Sequence, residues 1–87
     1  MIKQVVTIVN PTGIHARPAA HIAKLAAQFD AAIKLAYKGK EIDAKSIIGV
    51  MSLAAQAGEE LLVSAEGNQA EAAVNALANL LSKPFTE

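Results

Sequence analysis

The chain contains no cysteine and no tryptophan, and its aromatic residues are one tyrosine and two phenylalanines. Without thiols there is neither a disulfide framework nor a thiolate metal site. That usage fits a reducing compartment, and a cytoplasmic location is expected. The formal net charge is zero. With no cationic excess and no rings interleaved among the cations for base stacking, nucleic acid is not an expected partner. No apolar run approaches the roughly 20 residues needed to cross a bilayer. Nor does a charged region followed by a long apolar stretch open the chain, so neither membrane insertion nor a signal peptide is expected. No glycine-rich loop ending in Lys-Ser/Thr is present, which argues against direct use of ATP. No acidic residue precedes Asp30, so the first third of the chain offers no carboxylate base.

What remains is an 87-residue, 53% apolar sequence rich in alanine. A chain this short forms one domain, residues 1–87, and buries only about 60–65% of its unfolded surface. The zero net charge hides an asymmetry. Residues 1–58 carry seven Lys/Arg against three Asp/Glu, and residues 59–87 one Lys against five Glu. The basic part favours anionic substrates or acidic protein partners.

Residues 2–9 alternate as a half-buried strand, with Ile2, Val6 and Ile8 on one face and Lys3 and Thr7 on the other. A helix is expected from about Ala16 to Gln28. Ala19, Ile22, Ala23, Ala26 and Phe29 face inward, while Arg17, Ala20, His21, Lys24 and Gln28 face outward. Ala20 is expected to be exposed, where a small side chain lets a partner approach. A second strand covers residues 31–37 with Ile33, Leu35 and Tyr37 on one face. Lys38-Gly39 turns the chain into a short third strand around Ile42. Ser46 opens a short helix to about Leu53, with Gly58 as the stop after Ala54 to Ala57. Residues 59–66 form a fourth strand with Leu61, Val63 and Ala65 inward. Asn68 with Glu71 three residues on reads as a capping box for a last helix, with Val74, Leu77 and Leu81 buried and Pro84 ending it. The order βαββαβα points to a two-layer sandwich with helices on one face of a sheet, close to a split βαβ pattern. Strand order stays open at this level.

The chemistry concentrates in the stretch Asn10-Pro11-Thr12-Gly13-Ile14-His15-Ala16-Arg17-Pro18-Ala19-Ala20. Pro11 and Gly13 are turn residues, and Pro18 suits the first turn of a helix. His15 therefore stands at the mouth of a helix, where unpaired N–H groups and the positive dipole end favour an anion. Arg17 adds a permanent charge with a forked donor. A titratable nucleophile in an anion cradle reads most economically as a phosphohistidine. On residue types alone, a histidine here is more often a cap or a solvated side chain. His15 and His21 are six apart, off the one-face spacing of a helical metal site, so no metal is expected.

The run Gly13-Ile14-His15-Ala16-Arg17-Pro18-Ala19 resembles the active-site signature of the HPr family, the histidine-containing phosphocarriers of the bacterial sugar phosphotransferase system. Lys45-Ser46-Ile47-Ile48-Gly49-Val50-Met51-Ser52-Leu53 resembles that family's regulatory serine segment. The two motifs stand at the family's separation, and the likeness covers essentially the whole chain. The resemblance implies an α+β open-faced β-sandwich, a four-stranded antiparallel sheet in order 1-4-2-3 with three helices on one face. It implies phosphorylation of His15 on Nδ1 by enzyme I and transfer to sugar-specific IIA proteins. No cofactor is implied. Arg17 would neutralise the transferring group, and Ala16, Arg17 and Thr12 would bind its oxygens. Ser46 would be the target of an ATP-dependent HPr kinase and, once phosphorylated, a site for a transcriptional co-regulator in catabolite repression. Ile47, Ile48 and Met51 would dock partners together with Ala20, His21 and Lys24. A helix this short cannot bury all its apolar residues, and Val50 and Leu53 are its better core candidates. The chain is expected to be a monomeric carrier rather than a stand-alone enzyme. Three other readings remain open. One is an HPr-like regulatory protein acting by protein binding, another a member of the parallel nitrogen-related system. The third is an unrelated ligand-binding domain of ferredoxin-like shape.

Overall fold

Strand β1 (Ile2–Thr7) opens the chain. The computed structural model describes residues 1–11, 13, 14 and 16–83. Helix α1 (Ala16–Ala26) follows, then β2 (Ala32–Tyr37), β3 (Lys40–Asp43), α2 (Ile47–Ser52), β4 (Glu60–Glu66) and α3 (Ala70–Leu81). The sheet order is β1-β4-β2-β3 and every pairing is antiparallel. β4 thus lies between two strands that precede it in sequence.

Alternation along the strands sends Val6, Ile8, Ile33, Leu35, Leu61, Val63 and Ala65 to the helix-covered face, where all are buried. Each fully buried Val, Leu or Ile side chain contributes about 1.5–3 kcal/mol. From the helices, Ala19, Ile22 and Ala26 of α1, Val50 of α2, and Ala73, Val74, Leu77 and Leu81 of α3 complete the core. Alanines at the contacts let helix backbones come close, which compensates for the shortage of aromatic side chains. Ile2 departs from its expected burial. It is 38% exposed because it sits near the start of an edge strand.

Turn chemistry accounts for the connections. Lys38 (φ 49) and Gly39 (φ 82) form the two-residue hairpin loop between β2 and β3. Two positive φ values match the right-handed strand twist. Before β4, Glu59 N–H donates to the Gln56 carbonyl at 3.1 Å. Gly58 there, at φ 88, forms a bulge opposite Ile8, the arrangement in which a glycine supplies the extra residue.

Two expected end signals differ. The α2 helix ends near Leu53 as expected, but the left-handed residue that follows it is Ala54 (φ 55) rather than Gly58. The capping box at Asn68 does not form. The N-cap of α3 is Gln69, without a side-chain cap bond. Asn68 Nδ2 instead donates to Asp30 Oδ2 at 3.0 Å, and Gln69 Oε1 accepts from the Asp30 N–H at 2.7 Å. A tertiary clasp between the α1–β2 and β4–α3 connections ties both side chains to Asp30 instead of to the helix start. Pro84, the expected terminator of α3, lies outside the described residues.

Candidate functional site

The connection from β1 to α1 is held from two sides. Asn10 is fully buried, and its amide donates to the Gly13 carbonyl at 2.8 Å. The Gly13 N–H returns to the Asn10 carbonyl at 2.9 Å. The Ile14 N–H then donates to the Ala55 carbonyl at 3.0 Å, and the Ile14 side chain is buried. Gly13 has φ +71, and a Cβ there would stand 2.7 Å from the Ala55 oxygen and 3.1 Å from Gln56 Cα. Both conformation and space therefore require glycine. The loop that delivers the chain to α1 is braced on the segment leaving α2.

Ala16 and Arg17 are exposed in the first turn of α1, while Pro18 and Ala19 turn into the core. That turn carries no acidic residue. Its N-terminal dipole and the Arg17 charge thus act together with no carboxylate on the same turn. His15 and Thr12, the nucleophile and the rim hydroxyl of the sequence reading, lie outside the described residues.

Ser46 caps α2. Its hydroxyl accepts from the Gly49 N–H at 3.0 Å, as a serine at an N-cap does. At the other end Lys40 Nζ donates to the Ser52 carbonyl at 3.3 Å. One side of this short helix is core, with Val50 and the C-cap residue Leu53 buried. The other leaves Ile47, Ile48 and Met51 at 46%, 81% and 42% exposure. The division is the one expected from sequence. Three large apolar side chains in one helix form a contiguous patch of the kind that marks a docking surface.

Ala20, His21 and Lys24 lie on α1. With Leu25, Gln28 and Leu80 they line a groove of about 360 Å³ between α1 and α3, to which α2 contributes nothing. Ala20 is half-buried rather than exposed, since it forms part of this groove wall. This groove lies on α1, which also packs against α2.

A polar cluster joins residues far apart in the sequence. The Tyr37 hydroxyl donates to Glu59 Oε1, which also accepts from the Gln56 N–H at 2.8 Å. Lys38 Nζ stands 3.5 Å from Glu59 Oε2. The Tyr37 hydrogen bond, followed by that from Gln56, holds the Glu59 carboxyl below its ordinary range, and the same Glu59 contact pushes the Tyr37 hydroxyl up. The cluster pins the β2–β3 turn to the turn before β4. Partners 22 residues apart carry no local signal. Asn10 carries only a turn signal in the sequence, although its burial and its bond to the Gly13 carbonyl make it the brace of that loop.

Among the described residues no three His, Cys, Asp or Glu side chains are grouped to hold a metal ion. No described helix is long and apolar enough to cross a membrane.

Comparison with known proteins agrees with this geometry. Residues 2–83 match the family model described as the PTS HPr component phosphorylation site. The chain is similar to the HPr-C-His structure from Thermoanaerobacter tengcongensis, at 41% identity, 93% of this chain and 91% of that one, and TM-score 0.89. It is similar to the phosphocarrier protein HPr of Bacillus anthracis at 39% identity, 92% and 95% coverage, and TM-score 0.89. It also resembles the Bacillus subtilis catabolite-repression protein Crh, crystallised as a swapped dimer. That match has 36% identity, 100% coverage of both chains and TM-score 0.78.

Proposed function

The chain belongs to the HPr family of phosphotransferase-system phosphocarriers, and from that premise we propose that it takes a phosphoryl group from enzyme I onto His15. It then passes the group to sugar-specific IIA proteins in the cytoplasm during sugar uptake. The observation that carries this reading is the exposed Ile47–Ile48–Met51 stripe on a helix whose exit braces the loop leading to the α1 N-terminus. A carrier must hold its nucleophile still and offer a flat apolar area to several partners in turn, and those two features serve the two needs.

Neutral imidazole is both nucleophile and leaving group near neutral pH. Nδ1 of His15 attacks the phosphorus of the donor, the donor's bond to phosphorus breaks, and the labile P–N bond later yields to the IIA acceptor. Phosphoryl transfer asks mainly for in-line positioning and charge neutralisation. The N–H groups of Ala16 and Arg17 and the Thr12 hydroxyl hold the phosphoryl oxygens. The Arg17 guanidinium balances their charge. Ser46, exposed at the α2 N-cap, is the regulatory site for an HPr kinase, and its phosphate is read by a transcriptional co-regulator.

Incubation with enzyme I and phosphoenolpyruvate, followed by intact mass, tests the reading. One acid-labile, base-stable phosphate is expected, and none on His15→Ala. Phosphate retained on His15→Ala would overturn the assignment.

The likeness to Crh over the full chain favours a second reading, an HPr-like regulatory protein that acts by binding. Such a protein fails to pass phosphate to any sugar IIA protein while its Ser46-phosphorylated form still binds a regulator. Transfer to nitrogen-system rather than sugar IIA proteins identifies membership of the parallel system.

A further inference from the structure

The β1–α1 connection begins and ends on one short segment, residues 55–59. At its start the Ile8 N–H donates to the Glu59 carbonyl and the Ile8 carbonyl accepts from the Gly58 N–H, both at 2.8 Å. At its end the Ile14 N–H donates to the Ala55 carbonyl at 3.0 Å. His15 follows Ile14 in sequence and precedes the first residue of α1. Whatever fixes the Ala55 carbonyl therefore fixes the anchor beside the nucleophile.

The Ala55 carbonyl and the Gln56 N–H belong to one planar peptide unit, and in a trans unit they point in opposite directions. The carbonyl side holds Ile14. The N–H side donates to Glu59 Oε1 at 2.8 Å. The Glu59 carboxylate thus sets the peptide plane from behind. A charged acceptor on the N–H also polarises the unit and strengthens the carbonyl opposite as an acceptor. Glu59 closes the same turn with its backbone, its N–H donating to the Gln56 carbonyl at 3.1 Å. The carboxylate is aimed in turn by the Tyr37 hydroxyl on Oε1 and by Lys38 Nζ, 3.5 Å from Oε2. Tyr37 is half-buried at the end of β2 and gives the turn a fixed point outside itself. The Lys38 side chain is 71% exposed, so its ion pair adds little.

We propose that Glu59 is a positioning residue for His15, acting through the 55–56 peptide unit and Ile14, with Tyr37 holding its carboxylate in place. The inference rests on the phosphocarrier reading and adds to it a residue that lies in neither sequence motif. Transfer needs the imidazole nitrogen, the phosphorus and the leaving oxygen in line, and a misplacement of about 1 Å can cost about 100-fold. Without an acceptor for the Gln56 N–H the peptide plane gains freedom, and the Ile14 bond opens more often. The loss falls on the chemical step. Docking through Ile47, Ile48 and Met51 is spared, since α2 ends at Ser52, before the altered turn.

Two readouts on the intact chain test this: hydrogen exchange of the Ile14 amide, and kcat and KM for phosphorylation by enzyme I with phosphoenolpyruvate. Glu59→Ala should speed Ile14 exchange at least about tenfold relative to the Val63 amide of β4. It should lower kcat about three- to tenfold and leave KM within about twofold. Glu59→Gln keeps an acceptor oxygen for both donors and should restore each readout to within about twofold of the unmodified chain. Tyr37→Phe should shift both readouts less and in the same direction. Added to Glu59→Ala it should change nothing further, because Tyr37 acts through the carboxylate. Ile33→Val, in the core at the far end of β2 from Tyr37, lowers stability without touching the turn. It should leave the Ile14 to Val63 exchange ratio and kcat unchanged. Ile14 exchange unaltered in Glu59→Ala overturns the proposal. So does a Glu59→Gln variant as impaired as Glu59→Ala, a rise in KM at constant kcat, or the same change of exchange ratio in Ile33→Val. An unmodified chain that accepts no phosphate overturns the carrier reading itself, a failure distinct from unaltered exchange, which is measured without enzyme I.

Discussion

Replacing Gly13 with alanine isolates the contact that holds the nucleophile's loop. The perturbation has two parts. Alanine at φ +71 is in the left-handed region, which costs roughly 1–2 kcal/mol and is partly offset by about 0.4–1 kcal/mol from a less flexible unfolded chain. The added methyl would also stand 2.7 Å from the Ala55 carbonyl oxygen. That atom is backbone and cannot rotate away, so relief requires the loop to shift and lose the Ile14–Ala55 hydrogen bond, at about 1–3 kcal/mol. The sum is about 1–4.5 kcal/mol. Gly39→Ala supplies the control: its φ is +82, yet a Cβ there meets nothing within 4 Å. Only the conformational part remains, about 0.5–1 kcal/mol. Urea melts with equal slopes should resolve the difference of about 1–3 kcal/mol, and thermal melts should separate the two variants by roughly 5–20 °C at this size. Phosphorylation of His15 by enzyme I should slow in Gly13→Ala and stay normal in Gly39→Ala. Equal stability of the two variants, within about 0.5 kcal/mol, would refute the reasoning. It would mean that the loop leaves Ala55 without cost.

The α2 exit offers the opposite change. Ala54→Gly relieves a left-handed alanine (φ 55) and should stabilise the fold by about 0.5–1 kcal/mol, read as a higher urea midpoint. The Glu59 carboxyl is held below its ordinary value of 4.5 by the Tyr37 hydrogen bond. Its contribution is present above that value and is lost as pH falls through the lower folded one. Glu59→Gln should therefore flatten the melting temperature against pH below about 4.5, and an unchanged profile would remove the cluster from the stability of the fold. Ser46→Asp keeps an N-cap oxygen for the Gly49 N–H and should shift stability by less than about 0.5 kcal/mol, whereas Ser46→Ala should cost about 1 kcal/mol. The same aspartate puts negative charge beside Ile47 and Ile48. It should slow phosphorylation by enzyme I at low salt, the effect shrinking as salt is added.

Much was legible before any coordinates. Two-residue alternation placed Ile33, Leu35, Leu61, Val63 and Ala65 inside, and helical spacing placed Ala19, Ile22, Val74 and Leu77. The six-residue length of α2 forced some of its apolar residues outward, because one short helix has one buried side. Those features are local, set by backbone geometry within a few residues of each position. The family, too, was legible from its two short motifs.

What the sequence hid involves competition between distant groups. Asn68 and Glu71 have the spacing of a capping box, but a bond from the Asn68 amide to Asp30, across 38 residues, orients that side chain toward the α1–β2 connection, and no side-chain cap forms. Gly58 has the conformational freedom to end α2, yet it serves the bulge opposite Ile8. Ala54 takes the unfavourable dihedral instead, since the chain must turn early enough to set Ala55 against Ile14. Periodicity assigned Ile2 to the core, but strand order made β1 an edge and left it exposed. From residues alone, turns and apolar spacing pointed to a helix starting near Ala16 and to an apolar stripe on the short helix after Ser46. Only the tertiary structure decided that Asn10, Gly13 and Ala55 lock that helix mouth to the end of that stripe. Hydrogen-bond partners and close backbone approaches are settled by the packing of whole elements, and no window of sequence contains both sides of them.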